Sequence, residues 1–511
     1  MQRFLKLLFS RLSITAILII LQISILVVWI WNLSEDFIYL YTFSLIIGLI
    51  MTIYIVSRPD NPSFKLAWII PILLFPILGI LLYVFFGGNK IGKRLKKRIE
   101  LYYYETLDYL KQDEDIINEI EEKDKVIANQ VKYISNLSTY PIYKNTSSKY
   151  LSPGEEFYRH LIYELKKAKK FIFLEYFIIE EGFMWNNILE LLVDKVKEGV
   201  EVRVIYDDVG CAQTLPKNYN EKLNNLGIKA LVFNQMIPVL SAVLNNRDHR
   251  KIVVIDGNTA FTGGINLADE YINKIVRFGH WKDSTIMIKG EAVWSFTMMF
   301  LEVWTFTTNQ KEDYEKYKFV NKTNKRKIDD GYVQPYGDSP YNNELIGENV
   351  YLNIINKARD YVYICTPYLI IDNELVTALT LAAKSGVDVR IITPHIEDKW
   401  YIHIVTRAYY AQLIKYGVKI YEYTPGFIHS KTFVSDDDIA TVGTINLDYR
   451  SLYLHFECGV FLYKTSSVNE IKKDFQNIIK VSEEITIEDT KKVKWSNRFL
   501  RSIIRLFAPL L

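Results

Sequence analysis

Cysteine is nearly missing from this 511-residue chain, which has only Cys211, Cys365 and Cys458. They are odd in number, scattered and never spaced C-x-x-C, which argues against a disulfide framework and against a thiolate metal site. An excess of one charge is missing too. The 62 basic and 59 acidic side chains leave a net charge of +3, too little for bulk attraction to a polyanion. Histidine is sparse at seven residues, and five of them (His160, His280, His395, His403 and His455) stand in no pattern and read as structural or surface groups. Tyrosine is abundant at 36 residues but patternless, and supports no inference.

The other two histidines lie in a repeat. Residues 248–266 read Asp-His-Arg-Lys-Ile-Val-Val-Ile-Asp-Gly-Asn-Thr-Ala-Phe-Thr-Gly-Gly-Ile-Asn. An apolar β-branched run that meets an Asp-Gly turn predicts a strand, a tight turn and a second strand. Alternation along the strand places His249 and Lys251 on one face. The pattern returns at His429. Counting from each histidine, Lys falls at +2, Asp at +7, Gly at +14, Ile at +16, Asn at +17 and Leu at +18. Upstream, residues 170–179 are echoed by 361–370 and residues 199–205 by 386–392, with amphipathic helical segments at 184–198 and 373–385 between them. Each half therefore reads as β-α-β, further helix and strand, then the His/Lys hairpin. The fold class is α/β, in two pseudo-symmetric halves that each carry a mixed sheet flanked by helices.

Residues 1–90 are of different material and predict a transmembrane helical region. Apolar runs at 12–31 and 37–56 each have the roughly 20 residues of a bilayer crossing, and an acidic turn at 32–36 joins them. A cleaved signal peptide is the other reading of the first run, against which its length and the lack of a small-residue cleavage site count. A third run, 67–86, contains Pro71, Pro76 and Gly79. Arg3, Lys6, Arg11, Arg58 and Lys65 favour a cytoplasmic N-terminus and second loop, but a basic cluster at 90–98 follows the third run. Reading that run as re-entrant or interfacial keeps the catalytic halves cytoplasmic; a third true span would place them outside. The expected order continues with a basic, helical connector at 91–145, a first half at 146–310, a linker at 311–330 and a second half at 331–485. Over 491–511, Trp495, Phe499, Leu500, Ile503, Ile504, Leu506 and Phe507 fall on one helical face and Arg498, Arg501 and Arg505 on the other. That basic amphipathic helix suits an anionic bilayer surface; docking on the protein's own core is the alternative.

The paired sets predict phosphate chemistry. Lys251, Lys431, Asn266 and Asn446 supply positive charge and hydrogen-bond donors to an anion of spread charge. His249 and His429 can divide attack at phosphorus from protonation of the leaving group. Lysine charge replaces a metal, and no metal or other cofactor is expected. A nucleophilic imidazole needs its second nitrogen anchored. Asp283 and Glu457, downstream of the hairpins, are expected to orient His249 and His429 respectively; a surface or ion-pair role is the alternative for either carboxylate. Asp256 and Asp436 complete the catalytic motif set, although their turn positions suit hairpin bonding. Asp207 and Asp208 end a strand and could line the cleft or simply make the turn.

These paired His-x-Lys-x4-Asp motifs followed by Gly-x-x-Asn resemble the phospholipase D superfamily, and in detail the bacterial cardiolipin synthases. Residues 173–179, 248–251, 262–266, 366–368, 427–431 and 443–451, with the hydrophobic N-terminal hairpin, carry the resemblance over nearly the whole chain. It implies transphosphatidylation in a bacterial cell membrane: two phosphatidylglycerol molecules become cardiolipin and glycerol through a phosphohistidine. The implied nucleophile is His249, with His429 as general acid and then base. The implied partners are phosphatidylglycerol and an anionic bilayer, not nucleic acid; oligomeric state is left open. A hydrolytic phospholipase D, a phosphatidylserine synthase or a nuclease could use the same fold, and a catalytically dead membrane scaffold is the remaining rival. The membrane segments count against the nuclease, and two complete motif sets count against the scaffold. The second copy departs by carrying Thr444 where the first has Gly264.

Overall fold

A computed structural model describes Ser24 and residues 35–87, 105–235, 246–319, 330–341, 344–492 and 495–510. The chain divides into two compact units, one drawn from Met1–Lys90, Pro238–Val243 and Ile503–Leu511, the other from Ile91–Ile237 and Leu244–Ser502.

In the first unit, helix α1 (Glu35–Ser57) covers the expected second span, and α2 (Pro62–Leu74) and α3 (Pro76–Phe86) follow. The Asn61 side chain caps α2 by accepting from the Ser63 N–H, with Pro62 at the first helical position. The third apolar run is two helices rather than one. Phe75 sits at φ −137°, ψ 74° between them, because the residue before a proline is pushed out of the helical region. Large apolar side chains of α1, among them Phe43, Ile46, Leu49, Ile50 and Ile53, are exposed. Among the described residues no helix is long and apolar enough to cross a membrane. The expected span at 12–31 lies outside the described residues, as do several side chains at the start of α1.

The second unit begins with α4 (Glu114–Lys123) and α5 (Lys125–Ser138), capped by Asp113 and Asp124. Its first sheet uses β1 (Thr146–Leu151), β2 (Phe171–Tyr176), β3 (Glu201–Asp207), β4 (Lys229–Phe233), β5 (Ile252–Ile255), β6 (Thr259–Gly263) and, after β7 (His280–Lys282), β8 (Thr285–Gly290). Their order is β1-β8-β6-β5-β2-β3-β4, with β2, β3 and β4 parallel and β5 antiparallel to β2. The amphipathic helix α6 (Phe183–Lys197) crosses from β2 to β3. A mostly buried helix, α7 (Val293–Thr308), closes the half.

The second half repeats the plan with β9 (Tyr332–Asp338), β10 (Tyr361–Cys365), β11 (Leu369–Ile370), α8 (Asn373–Lys384), β12 (Asp388–Pro394), β13 (Lys419–Tyr423), β14 (Gly426–Ile428), β15 (Thr432–Ser435), β16 (Ile439–Gly443), β17 (Leu447–Asp448), the short α9 (Tyr449–Tyr453), β18 (Glu457–Tyr463) and β19 (Ser482–Ile485). Its sheet order is β19-β13-β12-β10-β15-β16-β18-β9, and β11 pairs with β17 separately. Strands β10, β12 and β13 are parallel and β15 runs antiparallel to β10, so β10, β12 and the β15–β16 hairpin correspond to β2, β3 and the β5–β6 hairpin. A final helix, α10, spans Trp495–Leu506.

Both sheets bury side chains in one core, with Phe173, Val254 and Ile286 from the first half meeting Val434, Val442 and Val460 from the second. Helix α7 belongs to this core because its apolar side chains are spread round the helix and twelve of its sixteen residues, 293–301 and 303–305, are buried. Phe300 of α7 stacks on Phe173 at 4.5 Å between centroids, and its burial contributes about 3 kcal/mol.

Candidate active site

The chain approaching each catalytic hairpin crosses to the opposite half before it joins its own sheet. Strand β14, just ahead of His429, lies parallel to β7 of the first half, with Ile428 opposite Lys282. The His429 N–H donates to the Lys282 carbonyl at 2.7 Å. Asp248, just ahead of His249, bridges in parallel to Phe456 of the second half. There the His249 N–H donates to the Phe456 carbonyl at 2.9 Å, and the Phe456 N–H to the Arg247 carbonyl at 2.8 Å. These two crossings place each histidine beside a carboxylate from the other half.

His249 Nδ1 lies 2.9 and 3.1 Å from the two carboxylate oxygens of Glu457, and His429 Nδ1 lies 2.7 Å from Asp283 Oδ2. The expected pairing of Asp283 with His249 and Glu457 with His429 is therefore corrected to the exchanged one. The cause is the pair of parallel crossings, which put residue 283 next to 429 and residue 457 next to 249. An ionised carboxylate accepts only, so each Nδ1 carries the proton and each Nε2 lone pair stays available.

Lys251 Nζ donates to the His249 carbonyl at 2.6 Å, and Lys431 donates to the His429 carbonyl. Both lysines are buried. Burial, opposed by Glu457, brings Lys251 down to about 8. Burial brings Lys431 down to about 7, opposed by Asp283 and assisted by Lys251. His429 falls to about 4 through burial and the Lys431 charge, although Asp283 pulls the other way. His249 lies well below its ordinary value, through burial and then Lys251 and Lys431. Two neutral imidazoles facing two desolvated ammonium groups form a site that gains most from an anion. Rings close the walls: Phe177 packs on His249 at 5.0 Å, and Trp281 on His429 at 5.3 Å.

The structure brings His249, Lys251, Asp283, His429, Lys431 and Glu457 together. Asn266 lies beside them but is spent on support, accepting from the Ile178 N–H at 3.1 Å and donating to Tyr271 Oη at 2.7 Å. Asn446 is buried, and its Oδ1 has no hydrogen-bond partner among the described residues. Asp256 and Asp436 are corrected out of the catalytic set. Asp256 sits at φ 52° in its turn and accepts from the N–H groups of Lys169, Lys170 and Phe171. Asp436, also at φ 52°, does the same for Arg359, Asp360 and Tyr361. Each aspartate stands at the turn end of a hairpin whose other end carries the histidine, which removes it from the chemistry.

His455, read from sequence as structural or surface, packs within the site. Its ring lies 5.6 Å from that of His249, and its Nδ1 is 3.8 Å from Glu457 Oε1. Its position two residues before Glu457 was the available signal, since such residues share a face in extended chain. Thr444 donates to Glu457. As a possible metal set, His249, His455 and Glu457 each offer a ligand atom within 4.8 Å of the others, as do Glu348, Asp372 and Glu374 elsewhere in the second half.

Residues 161–294 and 351–479 match the family described as cardiolipin synthase, PLD-like domain, and residues 45–88 match the phospholipase D-nuclease N-terminal family. Cardiolipin synthase 2 of Bacillus anthracis is 36% identical over 88% of this chain and 87% of its own. The cardiolipin synthase of Alkalihalophilus pseudofirmus is 35% identical over 88% and 90%, and an uncharacterized protein of Streptococcus mutans is 46% identical over 90% and 99%. Among solved structures, the phosphatidylserine synthase of Haemophilus influenzae shares the fold at a TM-score of 0.56 and 14% identity, over 75% of this chain and 100% of that one.

Proposed function

The chain belongs to the phospholipase D-like cardiolipin synthase family of phosphatidyltransferases, and we propose that it joins two phosphatidylglycerol molecules into cardiolipin with release of glycerol. The observation that carries this reading is the pair of histidines, each held by a carboxylate of the opposite half and flanked by a buried lysine. In the first step His249 Nε2 attacks the donor phosphorus, the P–N bond forms and the P–O bond to glycerol breaks. His429 delivers the proton to the departing oxygen. In the second step the acceptor hydroxyl gives its proton to His429, its oxygen bonds to phosphorus, and the P–N bond breaks. Lys251 and Lys431 balance the charge on the phosphoryl oxygens throughout. The bound phosphodiester and Asp283 raise the proton affinity of His429, as its acid role requires. Assigning attack to His249 follows the family resemblance.

Membrane attachment is part of the proposal. The exposed apolar side chains of α1, and Phe499, Leu500 and Ile503 of α10, favour lipid contact. We place the protein in the bacterial cell membrane as a multi-pass protein, with the interrupted α2–α3 run re-entrant and the catalytic halves cytoplasmic. Protease digestion of sealed vesicles of both orientations checks the topology: the catalytic halves should be cut only where the cytoplasmic face is outward.

Purified protein in phosphatidylglycerol vesicles, without added metal or nucleotide, is expected to yield cardiolipin and free glycerol in equal amounts. Phosphatidic acid as the main product would instead identify a hydrolase.

A further inference from the structure

A carboxylate that leaves the protein surface takes a hydrogen bond or an ion pair with it, because a bare buried oxygen is costly. Glu348 is 3% exposed, and its Oε2 has no hydrogen-bond partner among the described residues. It stands in the first turn of the helix Ile346–Lys357, in the second half, and has no part in the chemistry above. Two further carboxylates come to it. Glu348, Asp372 and Glu374 each offer one oxygen, and the three oxygens lie within 4.8 Å of one another.

This placement follows from two helix starts. Asp372 caps α8, where its Oδ1 accepts from the Leu375 N–H at 3.0 Å, and Glu374 follows in the first turn. A helix start favours a carboxylate, because that end carries about half a positive charge. Two such ends do not balance three carboxylates brought together. Burial, and then the Asp372 charge, raise Glu348 above the ordinary carboxylate range. Asp372 is 2% exposed, whereas Glu374 is open to solvent and gives an ion a way in.

The donor set limits what could settle there. Three carboxylates without a histidine or cysteine select a hard cation over a transition metal. Oxygens within 4.8 Å of one another fit round Ca²⁺, whose bonds to oxygen are about 2.3–2.6 Å. They also fit Mg²⁺ at about 2.0–2.1 Å, with water in its remaining positions. The Tyr453 hydroxyl donates to Asp372 Oδ2 at 2.7 Å, and that oxygen keeps a second lone pair for an ion.

Two bonds lead from the carboxylates toward the catalytic motif. Tyr453 ends α9, ahead of Glu457 in the chain. Tyr351, on the same helix as Glu348, donates to the carbonyl of Ile445 at 2.9 Å, next to Asn446. We propose that Glu348, Asp372 and Glu374 bind a hard divalent cation, Ca²⁺ or Mg²⁺, which braces residues 445–457. The ion touches no reacting atom, so the site stands or falls independently of the transfer reaction.

Full-length protein in an uncharged detergent, stripped with EDTA and then freed of it, is titrated calorimetrically with Ca²⁺ and with Mg²⁺. Wild-type protein is expected to bind one ion saturably, and the tighter of the two identifies the occupant. Glu348→Gln should weaken that binding about tenfold or more. At saturating ion, amide hydrogen exchange over residues 445–457 should slow about tenfold in wild type but not in the variant. Should Glu348→Gln fail to fold, Glu374→Gln on the solvent side should weaken binding about tenfold as well. Absence of saturable binding of either ion up to about 10 mM overturns the site, as does binding that both variants leave unchanged. Binding without slower exchange over 445–457 overturns the brace.

Discussion

His249 leans on a glutamate and His429 on an aspartate, and that single methylene changes the surroundings of each histidine. Glu457 reaches far enough to take a hydrogen bond from Thr444 as well, with His455 close by. Asp283 is shorter and takes its second bond from the Ser284 N–H at 2.7 Å. The residue equivalent to Thr444 in the first half is Gly264, where a Cβ would stand 2.1 Å from Asp283 Oδ1. The aspartate thus fills space that a threonine occupies in the other half. Two copies of one motif have become two different anchors, as expected of a site in which one histidine attacks and the other moves protons.

Removing either histidine is the most severe way to challenge this division. His249→Ala and His429→Ala are each expected to cut cardiolipin synthesis by about 10,000-fold or more, measured from radiolabelled phosphatidylglycerol; a variant with a tenth of wild-type turnover would break the two-histidine assignment. Next come the anchors. Glu457→Gln and Asp283→Asn let an amide N–H face the imidazole and favour the wrong tautomer, for a loss of about 100- to 1,000-fold. The exchanged pairing makes a sharper demand, readable by nitrogen NMR: Asp283→Asn should move the ring signals of His429, and Glu457→Gln those of His249. The reverse pattern would restore the same-half pairing.

Swapping the small residues tests the asymmetry itself. Gly264→Thr should displace Asp283 and cost about 100-fold, whereas Thr444→Gly removes one donor from Glu457 and should cost about 10-fold; equal losses would mean that the anchors are equivalent. A smaller effect follows from the lysines, lowered mainly by burial to about 8 at Lys251 and about 7 at Lys431. Only the ammonium form attracts the phosphodiester, and it prevails below those values. Raising the pH from 6 to 9 should therefore weaken apparent affinity for phosphatidylglycerol by about tenfold or more, read as a rise in KM; a flat KM would contradict it. Smallest for activity is Asp256→Asn, which loosens a turn held by three backbone N–H groups. It should lower stability by about 1–3 kcal/mol in denaturant unfolding while leaving turnover intact.

Elements that depend on neighbours in sequence were legible. The β2–α6–β3 and β10–α8–β12 units and both hairpins come from local periodicity and turn chemistry, and His249, Lys251, His429 and Lys431 were readable from the repeat register, whereas Asp283 and Glu457 were picked out only as carboxylates downstream of the hairpins. The pairing of the carboxylates was not readable, because β14 meets β7 across some 150 residues and no local pattern encodes that crossing. His455 was passed over because it has no counterpart in the repeat, although its spacing from Glu457 placed it on the same face. Helix α7 left no amphipathic signal, since its buried apolar side chains are spread round the helix. Asp256 and Asp436 entered the catalytic set through identical spacing, which a structural turn preserves as faithfully as chemistry does.

The most direct test of the two-histidine account is to map the covalent intermediate. Protein turning over labelled phosphatidylglycerol would be quenched at alkaline pH, where phosphohistidine survives, then digested and sequenced by mass spectrometry. The expected adduct lies on His249, with none on His429. Continued turnover with no adduct on either histidine would contradict the mechanism.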